Sequence, residues 1–409
     1  MTDREILRSL AGEYAQAAAM ERNHQNAQLY RALNRRQMIR PVVLIDEIPW
    51  SQLRMMEELR EYCEGEKERR AERFFRRQLY RWKHFPCDMI LTPFFPWPRH
   101  IQMGSFGIDI QADILAYDKG NNIVSHAYTD QIPDETAIEK LHVPDITLDE
   151  EADARDREWL ESIFGDILPV RLTGLEYAAF FQPWDDIAQW RGVEPLLWDL
   201  IDRPEFTHAL VEKILNVRLA LLDKVEALHL LDNASPYLHS TAGLCDELPG
   251  DGHSGCLTRK NIWGRGAAQI FASVSPAMTE AFEIDYACRF FEGFGLLYYG
   301  CCEPLHHKID ILRRLPNLRK ISITPWADVD SAADQIGCDY VMANKPNPAF
   351  LAVGRLDETV VEKEIRKALN ACRRNGTSVE LTLKDISSIH YNPENLDRWA
   401  QIAMRLVQE

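Results

Sequence analysis

Residues 294–305 read FGLLYYGCCEPL. An apolar run of strand length meets a glycine and then passes directly into two cysteines and a glutamate. A short apolar run bounded in this way is the pattern of a strand buried on both faces. Similar runs stand at PVVLI (41–45), DMILT (88–92), PVRLT (169–173), AQIFASV (268–274), RKISIT (319–324), DYVMAN (339–344) and SVELTL (378–383), which with FGLLYYG (294–300) makes eight. Helical stretches separate most of them, at 51–82, 151–164, 184–230, 276–292, 305–315, 328–336 and 358–374. Strands alternating with helices predict a parallel sheet, and eight of them favour a closed (β/α)8 TIM barrel over an open sheet. The expected class is α/β.

The remaining segments depart from this rhythm. Residues 3–20 and 22–38 are rich in Ala, Leu, Glu, Gln and Arg at helical spacing, and predict a helical extension over 1–40 ahead of a barrel over 41–409. Within 100–147, GIDIQADILAYDKGNNIVSHAYTDQI predicts paired strands around the turn residues DKGNN, an excursion that suits a lid. Segment 232–266 is long and irregular, and rich in Gly, Asp, His and Cys. Such loops inside a compact domain more often carry function than not.

Composition excludes several classes. The chain has 409 residues, 46% of them hydrophobic, and a formal charge of −16, the opposite of the basic footprint a nucleic-acid binder needs. No apolar run approaches the length of a membrane span, and the amino-terminal residues lack a secretory apolar region. A cytoplasmic protein is the expectation. Its nine cysteines show no framework spacing. In a reducing compartment they are core residues, metal ligands or reactive thiols rather than disulfides.

In a barrel, chemistry collects at the C-terminal ends of the strands. Cys301, Cys302 and Glu303 stand at such an end. Thiolates are strong zinc ligands and a carboxylate can complete the set. Successive residues of an extended chain face opposite ways, so one cysteine of the pair can equally be a small core residue. The histidines 306 and 307 open the next helix. The loop HSTAGLCDELPGDGHSGC (239–256) offers Cys245, Asp246 and Glu247, with His239, His253 and Cys256, but no pair of close cysteines as in a zinc ribbon. Its DGHSGC (251–256) mimics a corrinoid-binding signature, with cysteine where glycine is required. Glu380 lies inside the last strand, where an inward carboxylate must be paired or metal-bound. Asp46 and Glu47 end the first strand. The aromatic clusters TPFFPW (92–97) and FFQPW (180–184), with Phe95, Trp97, Phe181 and Trp184, suit a pocket wall for a planar ligand, though single aromatics are usually core. Lys345 in NKPNP (344–348) stands at a strand end, where it serves an anion or simply the solvated surface.

Together these features resemble the uroporphyrinogen decarboxylase superfamily over roughly 40–409, and within it the corrinoid-linked methyltransferase branch. The resemblance rests on the strand rhythm, the helical extension, the hairpin excursion and WRGVEPLLWDLIDRPEF (190–206). GLCDELP (243–249), FGLLYYGCCEPL (294–305), ISITPWADV (321–329) and YVMANKPNP (340–348) resemble motifs of aryl O-demethylase methyltransferases. Decarboxylases of the superfamily carry an arginine-rich motif after the first strand. Here that place reads DEIPWSQL, whose carboxylates would repel a polycarboxylate porphyrinogen.

The resemblance implies methyl transfer from a small methylated donor, a methoxylated aromatic above all, to the cobalt of a separate corrinoid protein. Zinc or a general acid would activate the leaving oxygen. The metal set carried over is Cys301, Cys302 and Glu380, altered from the His-x-Cys and later Cys of zinc-dependent thiol methyltransferases, because no histidine occupies the matching slot. Asp246, Glu247 and Glu303 are the acid candidates. Asp46, Glu47, Phe95, Trp97, Phe181, Trp184 and Lys345 are the candidates for substrate binding. The expected partners are the corrinoid protein and the small substrate, with no nucleic acid and no membrane, and a homodimer is allowed. The alternatives are corrinoid-to-thiol methyl transfer, decarboxylation and a non-catalytic ligand-binding barrel.

Overall fold

The computed structural model describes residues 1–115, 124–249 and 256–409. Its strands are β1 (Val42–Ile45), β2 (Phe95–Pro98), β3 (Ile101–Met103), β4 (Ala112–Leu115), β5 (Ser125–Tyr128), β6 (Ile146–Leu148), β7 (Val170–Thr173), β8 (Phe180–Phe181), β9 (Trp263–Gly266), β10 (Leu296–Tyr299), β11 (Leu318–Ile323), β12 (Val341–Asn344) and β13 (Ser378–Leu383). Seven of these form one sheet in the order β1-β13-β12-β11-β10-β9-β8, with every pairing parallel. β2 and β7 make a separate parallel pair. The excursion contains two antiparallel pairs, β3 with β6 and β4 with β5. The residues of its DKGNN turn lie outside the described ones, as do 250–255 of the Gly- and His-rich loop.

Most of the expected strands are where the apolar runs lie. AQIFASV is an exception: it forms a 3-10 turn over Gln269–Ser273, and the strand beside β10 is the WGRG of β9. Packing explains this. A side chain at Gly264 or Gly266 would meet Phe291 or Tyr299 at 2.7–2.8 Å, so only glycine lets the backbone of β9 approach. DMILT forms no regular strand, although Asp88 N–H donates to Val43 O at 2.9 Å alongside β1. The expected helix 51–82 is two 3-10 turns followed by α3 (Glu66–His84). The stretch 184–230 breaks into three helices at Gly192 and before Pro204. A final helix over Glu394–Leu406 was not expected.

The two faces of the large sheet differ in chemistry. One presents Ile321, Ile323, Met342, Val379, Leu381 and Leu383, packed against Ile365, Leu369 and Trp399 of the C-terminal helices in the main core. The other presents Lys320, Ser322 and Thr324 from β11 and its end, Ala343 and Lys345 from β12, and Glu380, Thr382 and Lys384 from β13. All of these are buried. A strand alternates its faces, so IxIx and LxLx sequences with polar x produce this split.

The polar face is covered by two elements. α2 (Glu21–Asn34) contributes Leu29, Tyr30 and Leu33, packed with Val42, Val341 and Ala242. Segment 239–247 crosses the face from the C-terminal to the N-terminal ends of the strands. Ser240 is tied to Asp46 and Lys345 at the C-terminal ends, with Oγ donating to Asp46 at 2.9 Å and O accepting from Lys345 at 2.7 Å. Thr241 and Ala242 meet Glu380 and Lys320 in mid-strand. Asn34 donates to Leu244 O at 2.6 Å, and Glu247 pairs with Arg319 at 2.6 Å near the N-terminal end of β11. Every buried backbone group needs a partner, and here the sheet's own side chains supply it. Before this polar face begins, α1 (Asp3–Ala18) packs with α3 and the helix Glu150–Phe164 in a second, aromatic-rich core.

Candidate functional site

β10 ends at Gly300, whose φ of +101° turns the chain sharply over Leu305 and Ser322. This turn brings Cys301 inward, buried, and leaves Cys302 exposed. Around Cys301 Sγ lie Lys384 Nζ at 3.3 Å, Cys302 Sγ at 3.6 Å and His239 Nε2 at 3.7 Å. Its backbone N–H donates to Glu303 Oε2 at 3.0 Å, and Glu303 Oε1 accepts from Ala268 N at 3.1 Å. Glu303 therefore fixes the turn from behind rather than facing solvent.

The electrostatics follow from these contacts. The Cys302 thiol donating to it, together with His239, Lys384 and Arg265, draws the Cys301 thiol well below its ordinary value despite burial, while Cys302 is pushed up. One proton is shared so that the inner sulfur ionises first. Burial opposes the charge on Lys384, but the Cys301 thiolate, Asp385 and Glu47 outweigh it and hold the ammonium above the usual lysine range. Burial lowers His239 and raises Glu303. Burial also raises Asp185, which accepts from Gln269 at 2.7 Å, to about 7.

Cys301 and Cys302 form one wall of a cavity of about 370 Å³ at the C-terminal ends of β11, β12 and β13. Lys345, Lys384 and Thr324 line it beside Trp326, Pro325, Pro346 and Pro348. The polar groups thus sit at one end of a flat, apolar slot. Lys345 is buried and its pKa is lowered to about 8 by burial.

Other expected residues lie elsewhere. Glu380 accepts from Lys320 Nζ at 2.9 Å, from Ala242 N at 3.1 Å and from the Thr241 hydroxyl, and does not join the cysteines. Asp246 pairs with Arg31 and Arg35 of α2 and its C-cap, and Glu247 with Arg319, both at the opposite end of the sheet. Asp46 accepts from Ser240, and Glu47 from Asp385 N at 2.9 Å, so both tie loops and neither lines the cavity. Phe95 and Trp97 belong to the second core. Phe95 stands 4.9 Å from Phe75, and Trp97 donates to Asp156 at 2.9 Å. Phe181 stacks on Phe290 at 4.9 Å, and Trp184 donates to Glu283 at 3.0 Å. These four rings are buried packing residues, and none lines this cavity. The aromatic wall is Trp326 instead.

Zinc held by three protein side chains needs a converging set. Cys301 and Cys302 converge, but Glu380 is engaged by Lys320. Among the described residues no group of three or more His, Cys, Asp or Glu side chains is arranged to hold a metal ion. The expected set does not fit zinc, and the cation placed against the Cys301 sulfur is the Lys384 ammonium.

No family model matches the chain, and no curated protein does. Among solved structures it is similar to a methyltransferase from Methanosarcina mazei, with a TM-score of 0.50 and 12% identity, over 93% of this chain and 98% of that one. The likeness is one of fold. It extends over nearly the whole of both chains. Among the described residues no helix is long and apolar enough to cross a membrane.

Proposed function

We propose that this chain is a methyltransferase that moves a methyl group from a small methylated donor to the cobalt of a separate corrinoid protein. The observation that carries the reading is the Cys301–Lys384 pair, 3.3 Å apart at the wall of a cavity at the strand ends. A whole-chain fold likeness to a methyltransferase agrees with it. The same reading takes the seven-stranded sheet and the β2–β7 pair as parts of one barrel. Asp88 bridges towards β1, and Leu175 N donates to Leu230 O at 2.7 Å beyond β7.

Cobalt(I) is a strong nucleophile, but an alkoxide or phenoxide leaves with a full negative charge. That charge needs a fixed partner in a dry site. Lys384 supplies it. The Cys301 thiolate and Asp385, at 3.3 Å each from Nζ, hold the ammonium in place and keep it charged, and the side chain is almost fully buried. A preorganised cation of this kind costs no reorganisation as charge develops. The slot between Trp326 and the prolines excludes water from the donor's apolar body. Cobalt approaches over the strand ends, where Trp326 is 68% exposed.

The test mixes the full chain, a reduced corrinoid protein and a panel of methoxylated aromatics, and follows methyl-cobalt formation in the visible spectrum. Methylation that requires the chain and falls with Lys384→Met supports the reading. No methyl-cobalt from any donor, with a corrinoid partner competent in a control reaction, defeats it.

A further inference from the structure

The reaction proposed above uses the Cys301 sulfur as a partner for Lys384 and assigns no role to Cys302. Yet the fold presents the two thiols as a pair, with their sulfurs 3.6 Å apart. The backbone of Cys301 is pinned on both sides. Its N–H donates to Glu303 Oε2 at 3.0 Å, and its carbonyl accepts from Ser322 Oγ at 3.0 Å. That carbonyl belongs to the peptide joining the two cysteines, so the pair is held in a fixed orientation. Both line the cavity, Cys301 as the buried member and Cys302 as the exposed one. Among the described residues no other two cysteine sulfurs are in contact.

Their surroundings divide the labour. The thiolate is the form that reduces a peroxide, and a small oxidant must be able to reach it. The Cys302 thiol donating to it, with His239, Lys384 and Arg265, draws the Cys301 thiol down. Burial instead pushes up the thiols of Cys63, Cys87 and Cys372, none of which lines this cavity. Cys302 keeps its proton and stands beside Cys301, where a second thiol can resolve an oxidised sulfur. Asp385 Oδ2, 3.5 Å from Cys302 Sγ, can accept that proton.

We infer that Cys301 and Cys302 form a peroxide-reactive dithiol, a site of reversible covalent oxidation in the cavity wall. The Cys301 thiolate attacks one oxygen of hydrogen peroxide. The O–O bond breaks, Cys301 becomes a sulfenic acid, and the other oxygen leaves as hydroxide. The hydroxide takes the Cys302 proton by way of Asp385 and becomes water. The Cys302 thiolate then attacks the Cys301 sulfur, the S–O bond breaks, and a second hydroxide leaves to be neutralised by solvent. Each sulfur loses one electron and the peroxide gains both.

The bridge is labile by construction. Neighbouring Cα atoms across a trans peptide are about 3.8 Å apart, short of the roughly 4.4–6.8 Å that a disulfide usually spans. Strain of this kind makes the bond easier to reduce, so ordinary thiols reopen it. Closing the pair also removes the anion beside Lys384 Nζ.

The experiment treats the full chain, reduced and without any corrinoid protein, with hydrogen peroxide, and reads the masses of the intact chain and its tryptic peptides. Peptide 290–308 contains Cys301 and Cys302 and no other cysteine. It loses the mass of two hydrogen atoms about tenfold or more faster than any other cysteine is oxidised, and dithiothreitol restores it. Cys302→Ser, whose hydroxyl can still donate to the Cys301 sulfur, stops at the sulfenic acid: the same peptide gains one oxygen and is captured by dimedone. Cys301→Ser leaves Cys302 unmodified at the same dose. No closure, faster oxidation of another cysteine, or a bridge from either thiol to a distant cysteine would overturn the dithiol. So would oxidation of Cys302 in the Cys301→Ser variant at the rate of the parent. The unsubstituted chain alone decides the first three, so a serine variant that fails to fold does not protect the inference. Every readout is a mass, and the outcome is the same whether or not the chain transfers methyl groups.

Discussion

Lys320 and Lys345 lie on the same face of the same sheet, and among the described residues only Lys320 has a carboxylate partner. Lys320, in the row of Val341, is fully buried against Glu380, with Thr241 and the Ala242 carbonyl completing its bonds. Lys345, four residues further along β12, has one carbonyl and spare donors. Near the N-terminal ends of the strands, further charges are likewise matched, with Arg319 to Glu247 and Asp246 to Arg31 and Arg35. Near the C-terminal ends Lys384 and Lys345 face a cavity, Lys384 paired with Cys301 and Asp385 and Lys345 held by the Ser240 carbonyl. Residue type does not separate scaffold from site here. Completeness of pairing separates Lys320 from Lys345, because a fully satisfied buried ion has nothing left to offer a ligand.

The contrast can be broken most sharply at its paired end. Glu380→Ala leaves Lys320 buried and uncompensated, and lowers stability by about 3–5 kcal/mol. Denaturant unfolding measures it, and a loss under about 1 kcal/mol would mean that water reaches this layer. At the open end the order of effects reverses. Lys384→Met lowers the rate of methyl-cobalt formation by about a hundredfold or more. Its unfolding midpoint stays near that of the parent, since the lost ammonium leaves a thiolate that can take up a proton.

A smaller effect, read by denaturant unfolding across pH, sharpens the comparison further. Lys345 is faced by Lys320, Lys384, Cys301 and Glu380, and burial brings its pKa down to about 8. Stability of the chain rises as pH rises through that value. Between that value and about 10.4, the ordinary lysine pKa, the unfolded state binds more protons, so the burial penalty on Lys345 is relieved as pH rises. Smallest of all, Asp246→Asn changes stability by less than about 1 kcal/mol in a thermal melt, because exposed ion pairs contribute little. A larger loss would make the arginines of α2 and its C-cap part of the scaffold rather than its solvated edge.

Much of the fold is legible in the sequence because strands buried on both sides are short and apolar. The runs at 294–300, 319–324, 339–344 and 378–383 coincide with β10 to β13. β9 is not legible, since WGRG owes its strand to the rings of Phe291 and Tyr299 pressing on two glycines, a tertiary fact. In the site, Cys301 and Cys302 stand out as an unusual pair after a strand, and Lys345 as a charge before a rigid turn. The expectation that Glu380 joins the cysteines treats all strand polar residues as one layer. The signal that separates the layers is period two. KISIT, MANK and ELTLK place Lys320, Ser322 and Thr324, then Ala343 and Lys345, then Glu380, Thr382 and Lys384 on one face at successive depths. Read that way, Glu380 sits two steps below Lys384. His239 carries no such signal, because a loop brings it to Cys301 from 62 residues away in the chain.

Segment 239–247 and α2 obstruct the floor of the polar interior. In the barrel proposed above, the cavity at the strand ends is then the approach for a ligand among the described residues. For the proposed reaction, the small donor and the cobalt-bearing macromolecule must both use it, and whichever stands outermost locks the other in. Arrival is compulsory in sequence, small molecule first, and departure of the demethylated product waits until the large partner has lifted away.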